Sequence, residues 1–315
     1  MFTKFSKPII ENENITIFRH QQPDGDAVCS QLALKAWIEK NFRNKTVKVI
    51  GNDLFDMYPI HDEVDDEFIK SSLAIVLDTA TSARVDDQRF KIAKTVMKID
   101  HHIPVEEFGE INITNPKAAA TAELLTFLFL DGDVIGYRVN EECAQYLYAG
   151  ILYDTQSFTT TSTSQWTLNA ASELAQTGID INKISRNVLE KSLCTFETIT
   201  KFRQLFKAED GLGYIILNKE DLALQNISVR QAKDMISEFN NIKEIKICLV
   251  AAQGEDGYYQ ASIRSKVNYP VNEIANSFNG GGHANAVGIK ELDESKLKDL
   301  YNELLAYIKR IDNNQ

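Results

Sequence analysis

The chain has 315 residues, 43% of them hydrophobic and 25% charged, which is enough for two domains with proper cores. Its formal net charge of −11 argues against wrapping long DNA or RNA, because phosphate contacts need a basic surface. The longest apolar run, residues 124–130 broken by Thr126, is too short to cross a bilayer, and the first residues lack the apolar core of a signal peptide.

A strand is predicted at 15–20, a helix at 30–42, and strands at 46–50, 73–78 and 95–99. Helices follow at 119–130 and 140–153. This alternation predicts an α/β fold, a Rossmann-like parallel sheet with helices on both faces. The strands are apolar throughout, as expected of strands buried on both faces. Residues 157–164 are nearly all Ser and Thr and read as a loop. Helical pattern resumes at 165–176 and 181–205. The second half is a smaller α+β unit, with strands at 213–218, 245–252 and 258–264 and helices at 271–278 and 295–311. The expected division is 1–180, a helical connector at 181–205, and 206–315. Cys29, Cys143, Cys194 and Cys248 lie far apart without a CxxC pair. They read as reduced, mostly buried thiols of a cytoplasmic protein.

The chemistry gathers where predicted elements end. Strand 15–20 runs into His20, Asp24 and Asp26; strand 73–78 ends at Asp78; strand 95–99 runs into Asp100-His101-His102; helix 140–153 runs into Asp154. In parallel sheets, ligands bind beyond the carboxyl ends of the strands. A single strand-end Asp is usually a turn or cap residue. Four such ends in one chain read instead as one site. Imidazoles and carboxylates suit Mn²⁺, Mg²⁺ or Fe²⁺ rather than a thiolate-bound metal. Six to seven ligands are too many for one ion with open positions, so two ions sharing a carboxylate account for them better. In the second half, Gly280-Gly281-Gly282-His283 offers backbone N–H groups and an imidazole to a phosphate. Arg264 has a fork suited to the same group.

The motifs His20-Gln21-Gln22-Pro23-Asp24-Gly25-Asp26-Ala27, Asp78-Thr79-Ala80, Asp100-His101-His102 and Gly150-Ile151-Leu152-Tyr153-Asp154-Thr155 resemble the four motifs of the DHH phosphoesterases. Gly280-Gly281-Gly282-His283-Ala284-Asn285-Ala286-Val287-Gly288 resembles the glycine-rich signature of the DHH-associated C-terminal domain. The resemblance is nearest to the NrnA-type oligoribonuclease and pAp phosphatase branch. Cys29, Gln156 and Val287 stand where the family pattern often has Gly, Gly and Ala, so pocket shape and substrate preference are open.

The resemblance implies two Mn²⁺ ions, one on His20, Asp24 and Asp78, the other on Asp26, Asp78, His101 and Asp154. It implies that Asp100 supports a ligand imidazole and that His102 faces the substrate. Arg264, Gly280, Gly281, Gly282 and His283 would bind substrate, with the active site in a cleft between domains. The substrates implied are very short RNA, cut to mononucleotides, and 3′-phosphoadenosine 5′-phosphate (pAp), converted to AMP. A phosphodiesterase for pApA or cyclic di-AMP is the alternative within the family. A non-catalytic nucleotide-binding protein is the alternative outside it, and a missing metal ligand would be its signature; none is missing. A homodimer is expected from the family alone.

Overall fold

The computed structural model of the protein describes residues 1–55, 57–133, 136–239 and 241–313. The chain forms two compact units, 1–190 and 191–315. Among the described residues, no helix is long and apolar enough to cross a membrane.

The first unit contains α1 (Phe2–Glu11), β1 (Asn14–Phe18), α2 (Gly25–Asn41), β2 (Thr46–Val49), α3 (Asp66–Ser71), β3 (Leu73–Leu77), β4 (Thr95–Asp100) and β5 (Ile111–Thr114). Helices α4 (Thr121–Asp133), α5 (Glu141–Asp154), α6 (Gln165–Ala175) and α7 (Ile181–Leu189) complete it. The five strands are parallel in the order β2-β1-β3-β4-β5. Side-chain alternation divides the strands between two apolar layers. Ile15, Ile17, Leu73, Ile75, Leu77, Met97 and Ile99 pack with α1, α2, α4 and α5. Phe18, Ala74 and Val76 pack with Ile69 of α3 and with Val85 and Phe90 of the following loop. Trp37 stacks on Phe129 at 4.6 Å and meets Phe5 at 5.5 Å, so α1, α2 and α4 close around one aromatic group. That packing holds α1 helical despite Pro8 in its interior, which removes a backbone donor.

The second unit contains α8 (Leu193–Gln204), β6 (Lys207–Glu209), β7 (Leu212–Leu217), α9 (Lys219–Gln225), α10 (Val229–Asp234), β8 (Ile247–Gln253), β9 (Tyr259–Ser265), α11 (Asn272–Ser277), β10 (Gly281–His283), β11 (Ala286–Leu292) and α12 (Glu294–Asp312). Its six-stranded sheet runs β10-β11-β9-β8-β7-β6 and is antiparallel except between β7 and β8. Leu297, Leu300, Leu304 and Ile308 of α12 cover one face, against Leu249, Ile263, Val287 and Ile289. On the other face, Phe202 of α8, Ala232 of α10 and nearby apolar groups cover Ile215, Cys248 and Val250. That second apolar layer includes no residue of β9, β10 or β11 among the described residues.

Several boundaries differ from the sequence-based expectation. The predicted helix at 181–205 is two helices. Ile184 of α7 packs in the first unit and Phe202 of α8 in the second. Ser192 caps the new helix by accepting from Thr195 N at 3.0 Å. The predicted helix at 30–42 starts at Gly25, so Asp26 lies on its first turn rather than in a loop. Gly281, Gly282 and His283 form the edge strand β10 rather than a loop.

Candidate metal centre

The strand order reverses at β1, whose neighbours are β2 and β3. In a doubly wound sheet this switch point opens a crevice at the carboxyl ends. His20 follows β1, Asp78 follows β3, and His101 follows β4. Helices α2 and α5 bring the remaining carboxylates. Asp24 is the N-cap of α2, with Oδ1 accepting from Ala27 N at 3.0 Å. Its Oδ2 is 3.7 Å from His20 Nε2. The cap reading and the ligand reading of Asp24 therefore use different oxygens.

Two three-residue groups place ligand atoms within 4.8 Å of one another: His20, Asp24 and Asp78, and Asp26, His101 and Asp154. Asp78 reaches both, with Oδ2 3.5 Å from His20 Nε2 and Oδ1 3.4 Å from His101 Nε2. His101 Nε2 is 3.2 Å from Asp154 Oδ2. Both imidazoles are held from behind at Nδ1 by backbone carbonyls, His20 by Gln21 O at 2.8 Å and His101 by Ala118 O at 3.2 Å. With Nδ1 as donor, each ring presents Nε2 as the ligand atom.

Asp26 is fully buried and multiply anchored. Oδ2 accepts from Thr121 N at 2.7 Å; Oδ1 accepts from Ala122 N at 3.0 Å and Ser30 Oγ at 3.1 Å. The two amides belong to the start of α4, where the helix dipole favours negative charge. Gly150 lets α5 approach, since a Cβ there would stand 2.7 Å from Ala122 Cβ and 2.9 Å from Asp26 Oδ1. The sequence reading missed Thr121, which also donates its hydroxyl to Asp78 Oδ1 at 3.0 Å.

The electrostatics call for cations. Burial, then Asp154 and Asp78 as like charges, push Asp26 well above the usual carboxylate range. Burial, with Asp78 and Asp24 adding repulsion, raises Asp154 to about 6 against the opposing pull of His101. Burial disfavours charge on His20 and His101, yet the surrounding aspartates outweigh it and raise both to about 10. A donor set of oxygen and imidazole nitrogen fits hard or borderline divalent ions.

His102 shares a further group with Asp78 and His101. Its Nδ1 is taken by Asp100 Oδ1 at 2.7 Å, so Asp100 supports His102 rather than the expected ligand imidazole of His101, whose Nδ1 meets Ala118 O. Asp100 is fully buried, and its other oxygen lies 3.2 Å from Lys98 Nζ.

Backbone strain marks the same loops. Gln22 and Asp78, with φ 52° and 53°, and the run Gln156, Ser157 and Phe158, with φ 46°, 58° and 68°, are left-handed without being glycine. Gln156 ends α5 in the position where glycine is favoured, with Ser157 N bonded to Leu152 O at 2.8 Å. Gln156→Gly is expected to stabilise the metal-free protein by roughly 0.5–1 kcal/mol, the relieved strain exceeding the added chain entropy. Denaturant unfolding checks this, and a lower midpoint would contradict it.

In the second unit, register places His283 opposite Ala286 and Ala286 opposite Arg264. His283 and Arg264 thus share one face of the sheet, beyond the residues of the second apolar layer, roughly 10 Å apart across two strand spacings. Arg264 is half-buried, and burial lowers its pKa against the pull of Asp234. Next to this row, Gly281 pairs with Gly288, and Gly288 with Ser262. A Cβ at Gly281 would meet nothing within 4 Å. Gly282 has φ 141°, and a Cβ there would stand 2.4 Å from Ala286 O; one at Gly280 would stand 2.5 Å from Ile289. The fold thus demands Gly280 and Gly282 but not Gly281.

Residues 14–151 match the DHH family N-terminal domain and residues 221–310 match the DHHA1 domain. The chain is 31% identical over 301 residues to the probable bifunctional oligoribonuclease and PAP phosphatase NrnA of Streptococcus mutans, covering 94% of this chain and 96% of that protein. The chain belongs to the DHH family. It is a hydrolase of that family's phosphoesterase type. It is also 34% identical to an uncharacterised protein of Mycoplasma genitalium, over 96% of this chain and 95% of the other. The crystal structure of an exopolyphosphatase-related protein from Bacteroides fragilis matches with TM-score 0.84 and 25% identity, covering 99% of this chain and 97% of that one.

Proposed function

We propose that this DHH-family protein uses two divalent ions, Mn²⁺, to hydrolyse very short oligoribonucleotides to mononucleotides and pAp to AMP. The observation that carries this reading is Asp78 standing between the His20–Asp24 pair and the Asp26–His101–Asp154 group. The name of the Streptococcus mutans relative supports the substrate class. In the proposal, His20, Asp24 and Asp78 hold one ion, and Asp26, Asp78, His101 and Asp154 hold the other. When bound, such ions supply positive charge for the phosphoryl oxygens and acidify water at neutral pH. The free cysteines suit the reducing cytoplasm.

The chain's own side chains supply the rest. Asp100 holds His102 Nδ1, so that in the imidazolium form Nε2–H is the remaining donor for a phosphoryl or departing oxygen. Arg264 and His283 flank a floor formed by Gly281, Gly288, Ser262 and Ala286. That floor lets a nucleotide lie against backbone while two cationic or donor groups take its phosphate.

The test is hydrolysis of pAp, pApA, cyclic di-AMP, RNA dimers to pentamers and pyrophosphate, each with Mn²⁺. Turnover of pAp and RNA dimers supports the reading. Cleavage of pyrophosphate alone, or of long RNA with equal efficiency, overturns it. His283→Ala is expected to raise KM for pAp about tenfold with bound metal unchanged. Gly281→Ala should also raise KM while keeping the parent Tm, and an unchanged KM in both variants would remove this face from the substrate site.

A further inference from the structure

We propose that Lys98 is a positioning residue for His102, acting through Asp100. Its buried ammonium fixes the Asp100 carboxylate, which in turn holds the His102 ring with Nδ1 as donor. This rests on the reading of His102 as the substrate-facing residue.

Lysine is almost never fully buried unless paired. Lys98 is 1% exposed. It stands two residues before Asp100 on β4, so both side chains leave the same face of the sheet. Neighbouring strand positions on that face, such as Ala74 and Val76, are apolar. An ordinary aliphatic residue would therefore satisfy the fold at position 98. The lysine instead donates to Ala80 O and Glu106 O, each at 3.0 Å, and its Nζ lies 5.1 Å from the Phe108 ring centre.

Asp100 explains the charge. Its Oδ1 accepts from the His102 ring at 2.7 Å and from His102 N at 3.2 Å. Its Oδ2 accepts no directed hydrogen bond and faces Lys98 Nζ at 3.2 Å. A buried carboxylate oxygen left without a counter-charge is strongly disfavoured, as when one partner of a buried ion pair is removed. Lys98 is what compensates it. Without the ammonium, the carboxylate turns toward another donor and releases His102 Nδ1. The line Lys98–Asp100–His102 therefore runs from the layer beneath the sheet to an imidazole that is 31% exposed. The carbonyls of Ala80 and Glu106 fix the amine's own position. They tie it to the loop after Asp78 and to the loop after His102.

A staple between those two loops is the competing role, and it predicts different data. The ring N–H signals of ¹⁵N-labelled, metal-free protein are recorded, with the His102 resonance assigned by its loss in His102→Ala. In Lys98→Met the His102 Nδ1–H signal should shift or broaden beyond detection. The kcat for pAp should fall about tenfold or more, with KM within about twofold. Lys98→Arg should restore the ring signal and part of kcat. In an Asp100→Asn background, Lys98→Met should lower kcat no further, whereas a staple would cost the same in both backgrounds. An unshifted ring signal with parental kcat in Lys98→Met overturns the proposal, and so do equal losses in the two backgrounds. If Lys98→Met alone does not fold, Lys98→Met/Asp100→Asn is compared with Asp100→Asn; a further drop in kcat overturns the proposal and equality supports it. The ring signal needs no substrate, so it judges Lys98 even if the phosphoesterase reading fails.

Discussion

Asp78→Asn is expected to lower kcat by about a thousandfold or more and, on the two-ion proposal, to lower bound metal from two ions to one or none per chain. Asp78 is 2% exposed and uses both oxygens, toward His20 and toward His101 and Thr121. Asparagine keeps the shape but replaces one oxygen by a donor NH₂ and removes a charge. Whichever way the amide turns, one of the two groups loses its acceptor. The variant should still fold, because Asp78 has φ 53° and Asn tolerates the left-handed region. It also removes a like charge beside Asp26 and Asp154. Against that relief stands the lost pairing with His20 and His101, so thermal unfolding serves to show that the metal-free variant is folded. Kinetics with pAp, metal analysis and thermal unfolding give the three readouts. Near-parental turnover with two bound ions would sink the shared-carboxylate assignment.

Metal binding is expected to release about two protons per chain at pH 7 from the histidines, and apparent affinity should climb steeply with pH. His20 and His101 are both raised to about 10 in the metal-free protein. At neutral pH each Nε2 therefore carries a proton that an incoming ion must displace. The sign follows directly. Lowering the pH favours the protonated rings and weakens metal binding. Raising it toward 10 strengthens binding by up to about tenfold per unit for each displaced proton. Stability of the metal-free fold runs the other way. The gain from pairing these rings with aspartates is complete below the unfolded pKa near 6.5 and is lost as pH rises through about 10. Calorimetric titration with Mn²⁺ in buffers of different ionisation enthalpy counts the protons. Release of none at pH 7 would contradict the assignment of both imidazoles as ligands.

The candidate ligand residues were legible because His20, Asp78 and His101 each follow a strong local signal. The apolar runs of β1, β3 and β4 leave little doubt about where they stop, and a parallel sheet assigns its ligands to those ends. The strand order was not legible, since pairing β1 between β2 and β3 is decided by packing across the chain. Thr121 and Lys98 were missed for different reasons. Thr121 acts partly through its backbone N–H, which carries no residue-type signal. Lys98 sits inside Thr95-Val96-Met97-Lys98-Ile99, where one charge among apolar residues reads as an irregularity. In the second unit, the glycine run carried no strand signal. Register shows a two-residue connection between β10 and β11, with pairing that continues through the glycines. The short helices α3, α9 and α10 span only six or seven residues, too few for helical periodicity to stand out unaided.

The anchoring of Asp26 has a consequence for how the centre fills. Held on both oxygens by α4 amides and Ser30, that carboxylate cannot rotate without breaking three bonds. Asp24, with a side chain 56% exposed, is held by one amide on Oδ1 and by a 3.7 Å contact between Oδ2 and His20 Nε2. One half of the centre is therefore a rigid socket and the other a hinged gate. On the two-ion proposal, an ion is expected to settle first beside Asp26, His101 and Asp154, and exchange with solvent is expected to be faster on the Asp24 side.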